Sequence, residues 1–114
     1  MSFFESEVVR AELAEVSELQ EEVYTNLFKF PTMSKEDQRY HIDVLERLLE
    51  KQRVLYTRLS LSDDPEAKKM KDQIHEGATT MGLPANMDMN LFFKNMTEMV
   101  EIMKQQIDND QFKM

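Results

Sequence analysis

The chain has 114 residues, of which 41% are hydrophobic and 32% charged, with 22 acids against 14 bases for a net charge of -8. Cys and Trp are absent, and there are only 2 Gly and 3 Pro. These counts exclude a disulfide scaffold and a Cys-based zinc module, a collagenous or linker-like chain, and the basic footprint of a general nucleic-acid binder. No apolar run approaches the roughly 18–20 residues that span a bilayer, and no basic-then-apolar signal segment opens the sequence. The expectation is a cytoplasmic protein with no membrane partner and no direct nucleic-acid contact. Proline and glycine punctuate the chain at Pro31, Pro65, Gly82 and Pro84. They mark out four helices, at about 3–30, 35–60, 65–81 and 89–109.

The first segment opens Ser2-Phe3-Phe4-Glu5, the spelling of a capping box in which Ser and Glu reciprocally satisfy orphan amide donors. Its apolar positions run Val9, Leu13, Val16, Gln20, Val23, Leu27, Phe30, with alternating steps of 4 and 3. That is a heptad seam with one polar interruption, Gln20. Such a helix is about 40 Å long at 1.5 Å per residue. A globule of this size has a radius of gyration of only about 13 Å, so a hairpin or an oligomer is the natural consequence. The second segment restarts at Ser34, a good cap, with Glu36 and Asp37 in the first turn. Its seam is Gln38, His41, Leu45, Leu48, Gln52, Leu55, Leu59. Ile42, Leu49 and Tyr56 widen the stripe, as in a helix buried against more than one neighbour. The short break at 31–33 favours an antiparallel hairpin of these two helices.

The third helix starts at Asp64-Pro65-Glu66, with Asp64 as cap and Pro65 in the first helical position. Ala67, Met70, Ile74, Ala78 and Met81 form its apolar side, and Gly82 supplies a left-handed stop. Gly77 inside it suggests an early fray or a close helix crossing. The fourth helix is capped by Asn86 or Asp88 and carries Phe93, Met96, Val100, Met103 and Ile107, with Phe92 and Met99 beside them.

No chemistry-bearing constellation emerges. His41 and His75 belong to no Glu-x-x-His pair of the kind a carboxylate di-metal bundle needs, so both read as surface or seam-edge residues. No Ser sits in a nucleophile elbow, and Gly77 and Gly82 cannot make a phosphate-cradling loop. Asp63-Asp64 is better explained as capping than as an acid–base pair. The chain therefore reads as a non-enzyme with no catalytic residue, no metal site and no cofactor.

Several residues point instead to contacts. Residues 1–30 carry a net charge of -5 and residues 31–60 a net +1. Glu12, Glu15 and Glu22 are candidates for meeting a basic partner. Ten methionines gather toward the C-terminal half, where Met fills core gaps or lines adaptable surfaces. Met87 and Met89, in a loop or cap, are the candidates for exposed contact. Phe3 and Phe4 must be buried in the fold, in a second copy or in a target. Gln20 and Gln52 interrupt two seams, either setting register across an interface or marking where a seam leaves the core.

The opening Met1-Ser2-Phe3-Phe4-Glu5-Ser6-Glu7-Val8-Val9 and the stretch Tyr56-Thr57-Arg58-Leu59-Ser60-Leu61-Ser62-Asp63-Asp64-Pro65-Glu66-Ala67 resemble the two distinctive blocks of a small helical family of unknown function. That family occurs in cyanobacteria and in T4-like phages that infect them, and this chain looks most like the phage versions. The resemblance implies a helical protein of a cyanobacterial cytoplasm, native or infected, and no activity. Physically, the first block is an aromatic-anchored helix start. The second is a helix end, a turn and a capped restart, in which Tyr56, Arg58, Asp63, Asp64 and Pro65 are expected to form a local ion-pair and hydrogen-bond corner.

The expected fold is all-α, one domain over 1–114. It is a long antiparallel helical hairpin with two shorter C-terminal helices packed on it, dimerising through helix seams. The expected function is protein–protein interaction, as a homodimer that binds a partner protein, a host protein if the chain is phage-encoded. The alternative is an acidic mimic that occupies a nucleic-acid-binding surface.

Overall fold

A computed structural model describes residues 3–80, 82–84 and 88–109. Four helices pack together: α1 (Glu7–Asn26), α2 (Lys35–Leu61), α3 (Pro65–Thr80) and α4 (Met89–Asp108). Short 3-10 turns at Phe3–Glu5 and Leu27–Thr32 flank α1. The body measures 50 × 31 × 19 Å with a radius of gyration of 16.1 Å, against about 13 Å for a compact globule of this length. The slab is one or two helices thick, so few side chains are fully enclosed. Ile42, Leu59, Val100 and Ile107 are the largest of them.

α1 is shorter at both ends than the expected span of about 3–30. It starts one turn later, at Glu7, because Ser6 is the cap and accepts from the Val9 N–H. Ser2 lies outside the described residues, and Phe3–Glu5 form the 3-10 turn. At the other end a proline in an α-helix removes one amide and clashes with the carbonyl four residues back. The stretch before Pro31 tightens into the 3-10 turn instead. In the last turn of α1 the side chains of Thr25 and Asn26 bond back to the carbonyls of Glu21 and Glu22.

α2 is the central element, and its two apolar stripes have different partners. Val44, Leu48 and Leu55 pack against Val9, Val16, Leu19 and Val23 of α1. Ile42 and Leu49 pack against Val100 and Ile107 of α4, and Tyr56 against Met89 and Phe93. The widened stripe at Ile42, Leu49 and Tyr56 is therefore the α4 side. Phe3 and Phe4, edge-to-face with centroids 5.0 Å apart, pack half-buried on the α1–α2 cluster and serve the fold.

Ion pairs line the outer edges. Glu12 meets Arg58 at 3.0 Å and Glu15 meets Lys51 at 2.9 Å, while Glu22 bonds the Tyr40 hydroxyl and raises its pKa. The partner number on α2 falls as the number on α1 rises. On the other side Lys104 reaches Glu46 at 2.9 Å and Asp43 at 3.5 Å. The bond to Glu46 holds the ammonium above its usual pKa and the Glu46 carboxyl below its own. Arg39 pairs with Asp108, and Lys35 donates to the Asp108 carbonyl. Cations there suit the negative end of α4.

α3 ends in a Schellman motif. Gly82 has φ +98 and donates to Thr79, and Leu83 donates to Ala78. The helix is continuous through Gly77, where an added Cβ meets nothing within 4 Å. Gly77 therefore marks neither a fray nor a close crossing. Asp88 caps α4 by accepting from Asn90; Asn86 lies outside the described residues.

Candidate functional site

The four helices leave an apolar cleft of about 460 Å³, within the range of about 300–1,000 Å³ common for ligand pockets. Leu13, Val16, Ser17 and Gln20 of α1 form one wall, and Gln52, Leu55, Tyr56 and Leu59 of α2 form the floor. Met70 and Ile74 of α3 close one end, and Met89, Phe92 and Phe93 of α4 form the other wall. The cleft exists because α1 and α4 sit on different stripes of α2 and diverge around it. Tyr56 anchors the closed end. Its hydroxyl is 2.8 Å from His75 Nε2, and its ring packs on Phe93 with centroids 6.0 Å apart.

The two seam glutamines come together here. Gln20 and Gln52 both line the cleft and are half-buried. Neither amide has a side-chain hydrogen bond among the described residues. The other buried polar seam positions of α2 are satisfied or packed. Gln38 donates to the Phe30 carbonyl at 2.9 Å, and His41 lies 5.5 Å from the Phe30 ring. His41 is buried rather than at a seam edge, and this burial lowers its pKa.

The remaining predicted residues sort differently from expectation. Glu12, Glu15 and Glu22 are engaged with α2 and present no free acidic row. Glu12 Oε2 is buried without a hydrogen-bond partner. Met89 is only 5% exposed, because one residue after the Asp88 cap it falls on the Phe93 stripe. It is a core residue and not an exposed contact. Met87 lies outside the described residues.

The expected corner is not a single cluster. Arg58 turns to Glu12 instead of Asp63 or Asp64, and Tyr56 turns to His75. Pro65 opens α3 and Asp63 is exposed. Asp64 does cap α3, accepting from Glu66 at 2.8 Å, and it also accepts from the Phe3 N–H at 2.6 Å. The Phe3 bond, followed by the Glu66 bond, holds its carboxyl below the usual carboxylate range.

Sequence reasoning passed over Ser17 and gave Met70 and Ile74 only as apolar positions of the third helix and Phe92 only as a neighbour of the fourth helix's seam. The available signal was that Ser17 and Gln20 stand three apart, so two polar groups share the half-covered edge of the seam.

Among the described residues, no group of three or more His, Cys, Asp or Glu side chains converges to hold a metal ion. No described helix is long and apolar enough to cross a membrane. Neither a curated protein nor a solved structure matches the chain. A family model does match, over residues 1–107, so this chain belongs to the DUF1825 family, a domain of unknown function.

Proposed function

We propose that the protein is a protein-interaction module: a long α1–α2 hairpin, braced by α3 and α4, whose cleft seats an apolar helix of a partner. The observation that carries this reading is the open apolar cleft holding two half-buried glutamine amides without partners. A docked segment covers the apolar walls and gives the two amides hydrogen-bond partners. The methionine and aromatic walls suit an adaptable helix-binding groove. The resemblance to cyanobacterial and cyanophage proteins directs the search for that partner to a cyanobacterial cytoplasm. Nucleic-acid mimicry has weaker support, since Glu12, Glu15 and Glu22 are occupied by α2.

The chain has no Cys, so one introduced thiol gives a clean reporter. A polarity-sensitive dye on Ser17→Cys at the cleft rim, titrated with an amphipathic helical peptide whose polar face is neutral, is expected to shift to the blue and saturate. The same dye on Lys69→Cys, on the outer side of α3, is expected not to respond. Equal response at both positions, or at neither, removes the proposal.

A further inference from the structure

α3 is the least embedded of the helices. α1 and α4 each bury four residues and α2 buries nine, whereas Ala67 is the one buried residue among the sixteen of α3. That burial lies in the first turn. Ala67 is 0% exposed, and three residues before it Asp64 accepts from the Phe3 N–H and caps the helix through Glu66. The start of α3 is therefore pinned.

Beyond the first turn the hold is slight. Met70 and Ile74 are half-buried along the cleft, where Ile74 packs on the cluster of Tyr56, Met89 and Phe93. From Met70 to Thr80, one hydrogen bond reaches another helix among the described residues, and no ion pair does. It joins His75 Nε2 and the Tyr56 hydroxyl at 2.8 Å. The hydroxyls of Thr79 and Thr80 bond back within α3. His75 stands about 12 Å along the helix from Ala67, at 1.5 Å per residue. The bond therefore holds the far part of a lever pinned at its start. The Schellman turn at Gly82 stops the helix, so α3 and α4 are not one rigid rod. Segments with few buried apolar contacts open locally at a lower free energy than the whole domain.

We infer that α3 is a lid on the cleft. Residues 70–80 lift away while α1, α2 and α4 stay packed, the pivot being Ala67 with the Asp64–Phe3 clasp, and the latch the Tyr56–His75 hydrogen bond. Lifting removes the end wall that Met70 and Ile74 make and gives the cleft a second mouth. Tyr56 stays behind, because its ring is packed on Phe93. This motion follows from packing alone and does not depend on what the cleft admits.

Hydrogen exchange of the full chain, resolved along the sequence, tests this. A released helix of sixteen residues is marginal in water, so its amides exchange when the lid opens. Those of residues 70–80 are expected to exchange about tenfold or more faster than the slowest amides of α2 and α4. Tyr56→Phe removes the latch and keeps the ring, and is expected to speed exchange over 70–80 about fivefold, the worth of one net hydrogen bond. Val100→Ala supplies the contrast. Val100 packs on Ile42 and Leu49, away from α3. Its truncation is expected to speed the slowest amides of α2 and α4 about tenfold and to leave residues 70–80 unchanged, because lid opening does not break that contact. If Val100→Ala speeds residues 70–80 as much as α2 and α4, α3 opens only when the whole domain unfolds, and the lid is overturned. If Tyr56→Phe leaves the exchange of residues 70–80 as it was, the latch is overturned.

Discussion

The Phe3 N–H donates to Asp64 Oδ2 at 2.6 Å, across 61 residues of sequence. This bond fastens the start of the chain to the turn between α2 and α3, while Asp64 Oδ1 caps α3 through Glu66. One carboxylate thus closes two backbone ends at once. It joins the two sequence blocks that carry the family resemblance. The requirement for a short charged acceptor here is structural, because both donors are main-chain amides that otherwise lack partners.

Asp64→Ala is therefore expected to lower the melting temperature by about 5 °C or more. Asp64→Asn, which keeps an acceptor but not the charge, is expected to fall between. The carboxyl is held below its usual range in the fold. Its stabilisation is thus present above the ordinary carboxylate pKa and is lost as the pH falls through the depressed value. Thermal unfolding of both variants at pH 7 and pH 3 checks this. An Asp64→Ala chain that melts with the wild type at pH 7 would leave the clasp without energetic weight.

His41 gives a second, separable pH dependence. Its ring is buried against Phe30 and its pKa is lowered from 6.5, chiefly by burial. A depressed folded value means the neutral ring is the native form. The stability is whole above about pH 6.5 and declines as the pH falls through the folded pKa. His41→Phe is expected to flatten the stability profile between pH 6.5 and pH 5, roughly the window where an ordinary His titrates. An unchanged slope would assign that window to other groups.

Glu12 and Arg58 make a cross-helix pair of unequal exposure. The Glu12 side chain is 14% exposed and that of Arg58 is 47%. Glu12 Oε2 already lacks a partner, so Arg58→Ala strands a nearly buried carboxylate. The expected loss is about 1–3 kcal/mol, as for a buried acceptor left unsatisfied. Adding Glu12→Leu to Arg58→Ala is expected to recover much of it, because the stranded charge goes too. Denaturant titration of the two variants measures both steps.

Much of this packing is legible in the sequence. The i, i+7 recurrence of Ile42, Leu49 and Tyr56 beside the main seam of α2 announces a second neighbour, and α4 is that neighbour. Gly82 and Pro84 fix the end of α3 through local backbone chemistry alone. Arg58 was not legible: Asp63 and Asp64 are five and six residues away, yet the partner is Glu12, at a separation of 46. Which carboxylate an arginine chooses depends on helix register, and spacing along the chain does not report it. The convergence of Gln20 and Gln52 was likewise hidden. Each interrupts its own seam, and only the packing of α1 on α2 turns two interruptions into one cleft.

Gly77 isolates intrinsic propensity from packing. It sits inside α3, is exposed, and would give an added Cβ open space. Gly77→Ala is expected to stabilise the protein by about 0.5–1 kcal/mol. A destabilised Gly77→Ala chain would show that α3 needs flexibility there, or contacts something through that face.

The cleft glutamines set stability against function. Each glutamine sets a polar group among apolar walls, where the free protein forgoes apolar contact. If no docked segment were needed, leucine at either position would serve the fold better. Gln20→Leu and Gln52→Leu are each expected to raise the stability of the isolated chain by about 0.5–1 kcal/mol. Both are expected to weaken binding of the neutral helical peptide, because the hydrogen bonds offered to it are gone. The two readouts must move in opposite directions. A variant that gains stability and binds as before would make the glutamines bystanders. One that loses stability would mean the amides already have partners in the free protein, and the cleft would then be a packing seam with no demand for a ligand.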